Sequence, residues 1–395
     1  MYLEHLSLTN FRNYSSITLD LGPGPVVLCG ENAQGKSNIL EAVYLLSTTK
    51  SPRANSDREL INWDACDDPL SVARLVAEVH RKSDTLRMEI AMGGGGETNS
   101  SPESSYLRKQ IKINGVPRRA TDAVGQLNAV FFSAQDVNLV GGAPSLRRRY
   151  LDVTFSQVDR TYLRALQRYT RVLAQRNHLL RLIREGSARR EELEVWDRQL
   201  VDEGCYILWQ RRCMISELAQ LAMVIHSGMT GTSEALELTY LPNPPELLEE
   251  FVHWDRAEDL KEPFHRQLAS RQDREVAQGM SVTGPHRDDL RFTINGADME
   301  LYGSRGQQRT IAAAVKLAEA NFLMRRTGED PVLLLDDILS ELDESRRRQV
   351  LELALTNEQS ILTTTDLDRI DGSFLSRATV FSVQQGRVEP LVLDS

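Results

Sequence analysis

The sequence predicts an α/β fold in which a mixed domain built on buried strands is interrupted by an inserted, mainly helical second lobe. Three observations predict it. An apolar run at 25–29 passes through a glycine-framed turn into a helical pattern at 39–46, the strand–turn–helix unit of α/β proteins. A second apolar run, 331–335, ends in Asp336 and Asp337, as a buried parallel strand does when it presents acids at its carboxyl end. Between these two runs, 145–185 and 191–230 carry long helical periodicity.

A single hydrophobic core stops growing near ~250–300 residues, so 395 residues imply two domains or one large domain with an insertion. The expected division gives 1–144 and 279–395 to the mixed domain and 145–278 to the helical lobe. No apolar run approaches the ~20 residues needed to span a bilayer, and Met1-Tyr2-Leu3-Glu4-His5 lacks a signal-peptide profile. The expectation is a soluble, cytoplasmic protein with no membrane partner. Cys29, Cys66, Cys205 and Cys213 form no C-x-x-C pair and read as small buried apolar residues rather than a zinc or disulfide framework. The net charge of −9 argues against a nucleic-acid partner only on average. Residues 146–190 hold twelve Arg, no Lys and three acids, a local +9 that leaves −18 for the remainder.

In chain order, 2–14 alternates apolar and polar residues as a half-buried strand does, and 15–21 is a second such run. Gly22-Pro23-Gly24-Pro25 then turns the chain into the strand that precedes the glycines. Strand patterns recur at 71–80, 85–91 and 110–113, and the glycine- and serine-rich 93–105 reads as a hairpin tip or short linker. Residues 128–133 look like a buried strand, followed by Gln135. On the helix at 145–185, Arg160, Arg164, Arg168 and Arg171 share one face, opposite Tyr162, Leu163, Leu166, Tyr169, Leu173 and Leu180. Such a helix suits one half of an antiparallel pair, and its Arg face is either a DNA contact or a solvated surface. The acidic 236–277 reads as irregular with short helices, 291–295 as a strand, and 307–326 as an unbroken helix.

The turn itself, Gly30-Glu31-Asn32-Ala33-Gln34-Gly35-Lys36-Ser37, fits G-x-x-x-x-G-K-S, the phosphate-cradling P-loop. Gly30 and Gly35 let the main chain wrap closely around phosphate oxygens, and amides at the start of the next helix point at them along its dipole. Lys36 would bridge the β- and γ-phosphates while the Ser37 hydroxyl ligates Mg²⁺. A nucleoside triphosphate is the implied ligand. Asp336 would then hold Mg²⁺ through water, as a Walker B acid, and Asp337 would polarise the attacking water. A strand ending in an acidic helix cap is the alternative reading of that pair.

Tyr302-Gly303-Ser304-Arg305-Gly306-Gln307-Gln308-Arg309-Thr310 and Ser340-Glu341-Leu342-Asp343 extend the pattern. Here the sequence resembles the ABC-type ATPases: Ser304, Gly306 and Gln307 match their signature motif, and 340–343, ending in Asp343, their D-loop. The resemblance implies that the signature caps the γ-phosphate of ATP held by the P-loop of an opposing subunit. One P-loop and one signature per chain then require an ATP-dependent homodimer. Gln135 resembles the Q-loop glutamine that contacts Mg²⁺ and the lytic water, so Lys36, Asp337 and Gln135 form the implied catalytic set. Residues 360–366 resemble the strand that ends in a switch histidine, but Thr365 stands in its place, and Asp337 stands where many such ATPases have Glu. A shorter carboxylate and an uncharged side chain there imply slow hydrolysis.

The resemblance narrows to the RecF family of DNA repair ATPases. It rests on Leu8-Thr9-Asn10-Phe11-Arg12-Asn13-Tyr14, the P-loop extended through Asn38, Arg147-Arg148-Arg149-Tyr150-Leu151-Asp152, Gln175-Arg176-Asn177 and Thr283-Gly284-Pro285-His286-Arg287-Asp288-Asp289, in order with the later motifs. It implies an ABC/SMC-type P-loop ATPase head and a helical lobe too short for a coiled-coil arm. It also implies dimerisation around ATP on double-stranded DNA at gap junctions, weak DNA-dependent ATPase activity, and action with RecO and RecR to load RecA. Arg12 would lie near the nucleotide. The His286-Arg287-Asp288-Asp289 cluster reads as a structural turn with internal ion pairs. A transporter's nucleotide-binding subunit is the alternative function, but such subunits usually keep the switch histidine and a compact helical subdomain, whereas about 170 residues separate Gln135 from Ser304. A structural tether of the SMC kind would need sustained heptads, which the sequence lacks.

Overall fold

Two six-stranded sheets share one core in the N- and C-terminal segments of the chain. The structure is a computed structural model that describes residues 1–65, 71–94, 107–231, 234–247 and 255–392. The chain separates into a first unit, Met1–Asp136 with Lys316–Ser395, and a second unit, Val137–Val315, inserted into it.

In the first unit, β1 (Tyr2–Phe11), β2 (Tyr14–Asp20), β4 (Val72–His80), β5 (Thr85–Gly94), β6 (Leu107–Ile113) and β7 (Val116–Arg118) form an antiparallel sheet ordered β2-β1-β4-β5-β6-β7. The other sheet contains β3 (Gly24–Cys29), β8 (Ala129–Ser133), β12 (Val332–Asp336), β13 (Gln359–Thr364), β14 (Thr379–Gln384) and β15 (Arg387–Pro390), ordered β15-β14-β3-β13-β12-β8. All its pairings are parallel except that of β15 with β14. Helix α1 (Lys36–Thr48) fills the space between the sheets. Its Ile39, Leu40, Val43 and Leu46 share a core with Leu6, Leu75 and Ile90 of one sheet and Val26, Leu334 and Ile361 of the other. Each such side chain, fully buried, is worth about 1.5–3 kcal/mol. Every residue of β12 and β13 is buried; β12 accordingly reads as an apolar run while β1 alternates, and β13 buries the hydroxyls of Ser360, Thr363 and Thr364 among its apolar residues.

The second unit carries α2 (Pro144–Val158), α3 (Arg160–Arg184), α4 (Leu193–Thr230) and α5 (Lys261–Gln278), with a small antiparallel sheet of β9 (Leu236–Leu241), β10 (Asp289–Ile294) and β11 (Ala297–Asp298). The boundary with the first unit falls within α6 (Arg305–Thr327), and α7 (Glu344–Thr356) belongs to the first unit. The units divide at 136/137 and 315/316 instead of 144/145 and 278/279. The reason at the second boundary is that β10 pairs along its whole length with β9, which ties the chain after 279 to the lobe.

Several local expectations change. The helix expected over 145–185 breaks at Asp159, whose extended backbone and carboxylate cap α3 by accepting from the amides of Thr161 (2.7 Å) and Tyr162 (3.0 Å). The region 236–277 is more regular than its composition implied, containing β9 and the 18-residue α5. Cys213 is exposed and Cys29 only half-buried, so the apolar-core reading of the cysteines holds for Cys205 alone among the described residues; Cys66 lies outside them. Beyond Gly94 the stretch 93–105 also lies outside the described residues.

The lobe has an unusual interior. Arg147, Arg176 and Arg211 are its largest fully buried side chains. Arg211 reaches Asp288 (2.9 Å), Asp152 (2.7 Å), the Tyr162 hydroxyl (3.0 Å) and the Pro285 carbonyl (2.7 Å). Arg147 forks onto Asp289 (2.6 and 2.9 Å), and Arg176 onto Asp197 (2.6 Å) and Glu275 (2.7 Å). The acids at 288 and 289 therefore pair not within their own turn but with helices far away in sequence. Buried charges demand partners of this quality, because an unpaired ion loses several kcal/mol of hydration. His286 accepts at Nδ1 from the Tyr169 hydroxyl (2.6 Å) and donates from Nε2 to the Ser281 carbonyl (3.2 Å). Burial, reinforced by the charges of Arg287, Arg148 and Arg176, lowers its pKa to about 4.

Candidate nucleotide site

The carboxyl edge of the parallel sheet gathers the predicted motifs. β3 delivers the glycine turn, β12 ends in Asp336, β8 leads to Gln135 and β13 to Thr365, with Asp336 in register with Thr363 on one side and Ser133 on the other. Crevices beyond this edge are where open α/β sheets bind ligands.

The glycines of the turn are fixed by neighbouring backbone and side chains. A Cβ on Gly30 would collide with the Val383 carbonyl of β14, and Gly35 has φ 115° with the Tyr14 hydroxyl 2.7 Å from where its Cβ would stand. Asn13 braces the loop by donating to the Gln34 carbonyl (3.0 Å) and accepting from the Asn38 amide group (2.8 Å). Gln34 also accepts from the backbone of Gln385 (2.6 Å) in the turn between β14 and β15. Glu31, Asn32 and Ala33 are exposed. The first turn of α1 leaves backbone amides without intrahelical partners, donors suited to phosphate oxygens. Lys36 is 6% exposed, and its Nζ donates to the carbonyls of Gly30 (2.5 Å) and Glu31 (2.7 Å). Burial lowers its pKa, opposed chiefly by the charge of Asp337.

P-loop and Walker acid meet directly: Ser37 Oγ donates to Asp336 Oδ1 at 2.6 Å. Thr363 Oγ1 donates to the same oxygen (3.1 Å), and the Arg53 guanidinium pairs with the other. Hydroxyl and carboxylate oxygens are the hard ligands that Mg²⁺ prefers, so the donor set fits that ion. Asp337 has a left-handed backbone, φ 50°, and its amide donates to Thr363 Oγ1 at 2.9 Å. Partial burial raises its carboxyl pKa, as do the charges of Asp336 and Glu341, against the pull of Lys36. Arg53 lies outside every sequence motif; Thr363 lies within 360–366, but only the register of β13 against β12 reveals its link to the two acids.

Arg12, φ 53°, forks onto the fully buried Glu41 of α1 (2.8 and 2.9 Å), one turn beyond Ser37. Gln135 is exposed in the short turn Ala134–Val137, whose Asp136 caps the end of β8 by accepting from the Ser133 amide at 2.6 Å. Asp343 is exposed and caps α7, accepting from Arg346 N at 3.0 Å. Ser304, Gly306 and Gln307 belong to the second unit, where Ser304 and Gln307 cap each other reciprocally at the start of α6 (3.1 and 3.2 Å). Arg160, Arg164, Arg168 and Arg171 are all exposed on α3, but Arg168 is paired with Glu203 (2.5 Å) on the antiparallel α4.

A glycine turn entering a helix, with paired acids on a nearby parallel strand and an antiparallel sheet behind, defines a P-loop ATPase head of the ABC/SMC type. The family model described as RecF/RecN/SMC N terminal domain matches residues 2–388. The DNA replication and repair protein RecF of Roseiflexus castenholzii is 42% identical over 400 residues, covering 99% of this chain and 100% of that protein. RecF of Staphylococcus aureus is 37% identical, covering 98% and 100%. The solved recombination mediator protein RecF-ATPrS in the RecFOR pathway superimposes with a TM-score of 0.86 at 31% identity, covering 99% of this chain and 98% of that one. The Smc head bound to the C-winged helix domain of ScpA shares the fold at a TM-score of 0.53 and 15% identity, covering 100% of this chain and 98% of that one. This chain belongs to the RecF family, a branch of the SMC-like ATPases. Among the described residues no helix is long and apolar enough to cross a membrane.

Proposed function

We propose that this chain is an ATP-switched DNA-binding protein of replication and recombinational repair. Two copies close around ATP on double-stranded DNA at gap junctions, hydrolyse it slowly, and with RecO and RecR help to load RecA in the cytoplasm. The relatives' names support the pathway, and the 2.6 Å contact between Ser37 and Asp336 carries the nucleotide reading, because it joins the two halves of a triphosphate site. The amides from Asn32 to Ser37 and the Lys36 ammonium bind the phosphates, with Gly30, Glu31 and Asn38 shaping the cradle. Ser37 and Asp336 hold Mg²⁺, and Gln135 lies on the same edge of the sheet; the ion supplies neutralisation of phosphate charge. Asp337 accepts a hydrogen bond from the attacking water and orients it. Ser304, Gly306, Gln307 and Asp343 of one copy complete the site of the other. Sedimentation of wild type and Lys36→Met, with and without ATP and a short duplex, tests the whole reading. Wild type should dimerise and retain duplex only with ATP, and the variant should do neither; equal behaviour in all conditions would refute it.

A further inference from the structure

We infer that Thr363 is a positioning residue for ATP hydrolysis, its hydroxyl fixing Asp336 and Asp337 relative to each other and to Ser37. This rests on the proposed roles of the two acids. Thr363 is 1% exposed, on the strand that neighbours the Walker strand, directly opposite Asp336. Side chains alternate along a strand, so Thr363 shares its face with Ile361, which packs in the core around α1. A threonine hydroxyl has one proton and two lone pairs. Here a lone pair accepts from the Asp337 amide (2.9 Å), which directs the proton to Asp336 Oδ1 (3.1 Å), the oxygen that Ser37 also contacts (2.6 Å). One hydroxyl thus holds the carboxylate of the first acid and the left-handed backbone of the second.

The neighbouring hydroxyls of β13 bond only locally and reach neither acid of the Walker strand. Ser360 donates to the Ala354 carbonyl and Thr364 to the Asp366 carbonyl, Thr364 also accepting from the Asp366 amide (3.1 Å). Nor does packing alone require a hydroxyl at 363, since valine has the same shape and is buried more readily. Without the hydroxyl, the Asp337 amide loses its acceptor and Asp336 keeps fewer restraints. The water-orienting carboxylate would then wander by a fraction of the distance that matters for in-line attack, while the P-loop contacts to phosphate stay intact.

The test is single-turnover ATP hydrolysis and fluorescent-nucleotide affinity for wild type, Thr363→Val, Thr363→Ala, Thr363→Ser and Asp337→Asn. Loss of the hydroxyl should slow hydrolysis by about 10- to 100-fold, as small misplacements of reacting groups do, with affinity changed by less than about threefold. Serine should restore the rate. Hydrolysis at the wild-type rate in both Thr363→Val and Thr363→Ala, with Asp337→Asn inactive, would overturn the inference alone. A serine variant as slow as the valine one would overturn it too, since the methyl group would then be what matters. Undiminished hydrolysis by Asp337→Asn would remove the reading of the acids on which the inference stands.

Discussion

His286 shows how a residue without a chemical role becomes legible once its surroundings are known. It is held neutral by burial, with its ring nitrogens engaged by Tyr169 and Ser281. Its folded pKa of about 4 lies below the ordinary 6.5, so the unfolded chain binds the proton first as pH falls. Stability from this group is therefore fully present above about pH 6.5 and lost progressively toward pH 4, up to about 3 kcal/mol. Urea unfolding of wild type and His286→Gln over this range should show a shallower pH dependence in the variant, and identical slopes would contradict the assignment. The nearby Asp288 is the same kind of residue: Arg211, the Tyr240 hydroxyl and the Asn243 amide (2.8 Å) surround its carboxylate. The motif at 283–289 that carries the family resemblance is thus a fastening for the lobe's interior, reached by Arg147 from one helix and Arg211 from another.

At the scale of elements, α3 divides its arginines by position. Arg176 turns inward to Asp197 and Glu275, while Arg160, Arg164 and Arg171 face outward with no acid partner among the described residues. Arg168 faces outward too but is neutralised by Glu203. A wheel drawn from the sequence could not separate these four, because Glu203 lies on another helix. If the face binds duplex, replacing Arg160, Arg164 and Arg171 with Ala should weaken binding and lower the slope of log affinity against log salt by roughly 2–3, about one per lost phosphate contact. Arg168→Ala alone should do less. Fluorescence anisotropy across a salt series would decide it, and an unchanged slope returns the face to a solvated surface. The helices themselves were visible as periodicity, but the break at Asp159 was not, since a capping aspartate inside a long helical pattern looks like any other exposed acid.

At the scale of the molecule, P-loop and signature belong to different units of one chain, and the proposed function needs them from two chains. Complementation tests that requirement. Lys36→Met lacks a competent P-loop and Ser304→Arg a competent signature, so neither alone should hydrolyse ATP. A mixture should recover activity, because a heterodimer contains one intact pair, the P-loop of the Ser304→Arg copy facing the signature of the Lys36→Met copy. Silence of the mixture, with both variants folded and Ser304→Arg still binding nucleotide, would argue against sites shared in trans.

The sequence by itself determined the nucleotide motifs and their strand-and-helix setting, because these depend on local spacing: a glycine turn between a strand and a helix, and two acids at the end of an apolar run. It also determined the insertion of a helical lobe. Only the tertiary structure decided what surrounds each motif. Val383 makes Gly30 obligatory, Thr363 joins Asp336 to Asp337, Glu41 engages Arg12, and helices far away in sequence receive Asp288 and Asp289. Each of these is a contact between residues distant in the chain, set by sheet register and helix packing, and no local pattern records which strand will lie beside which.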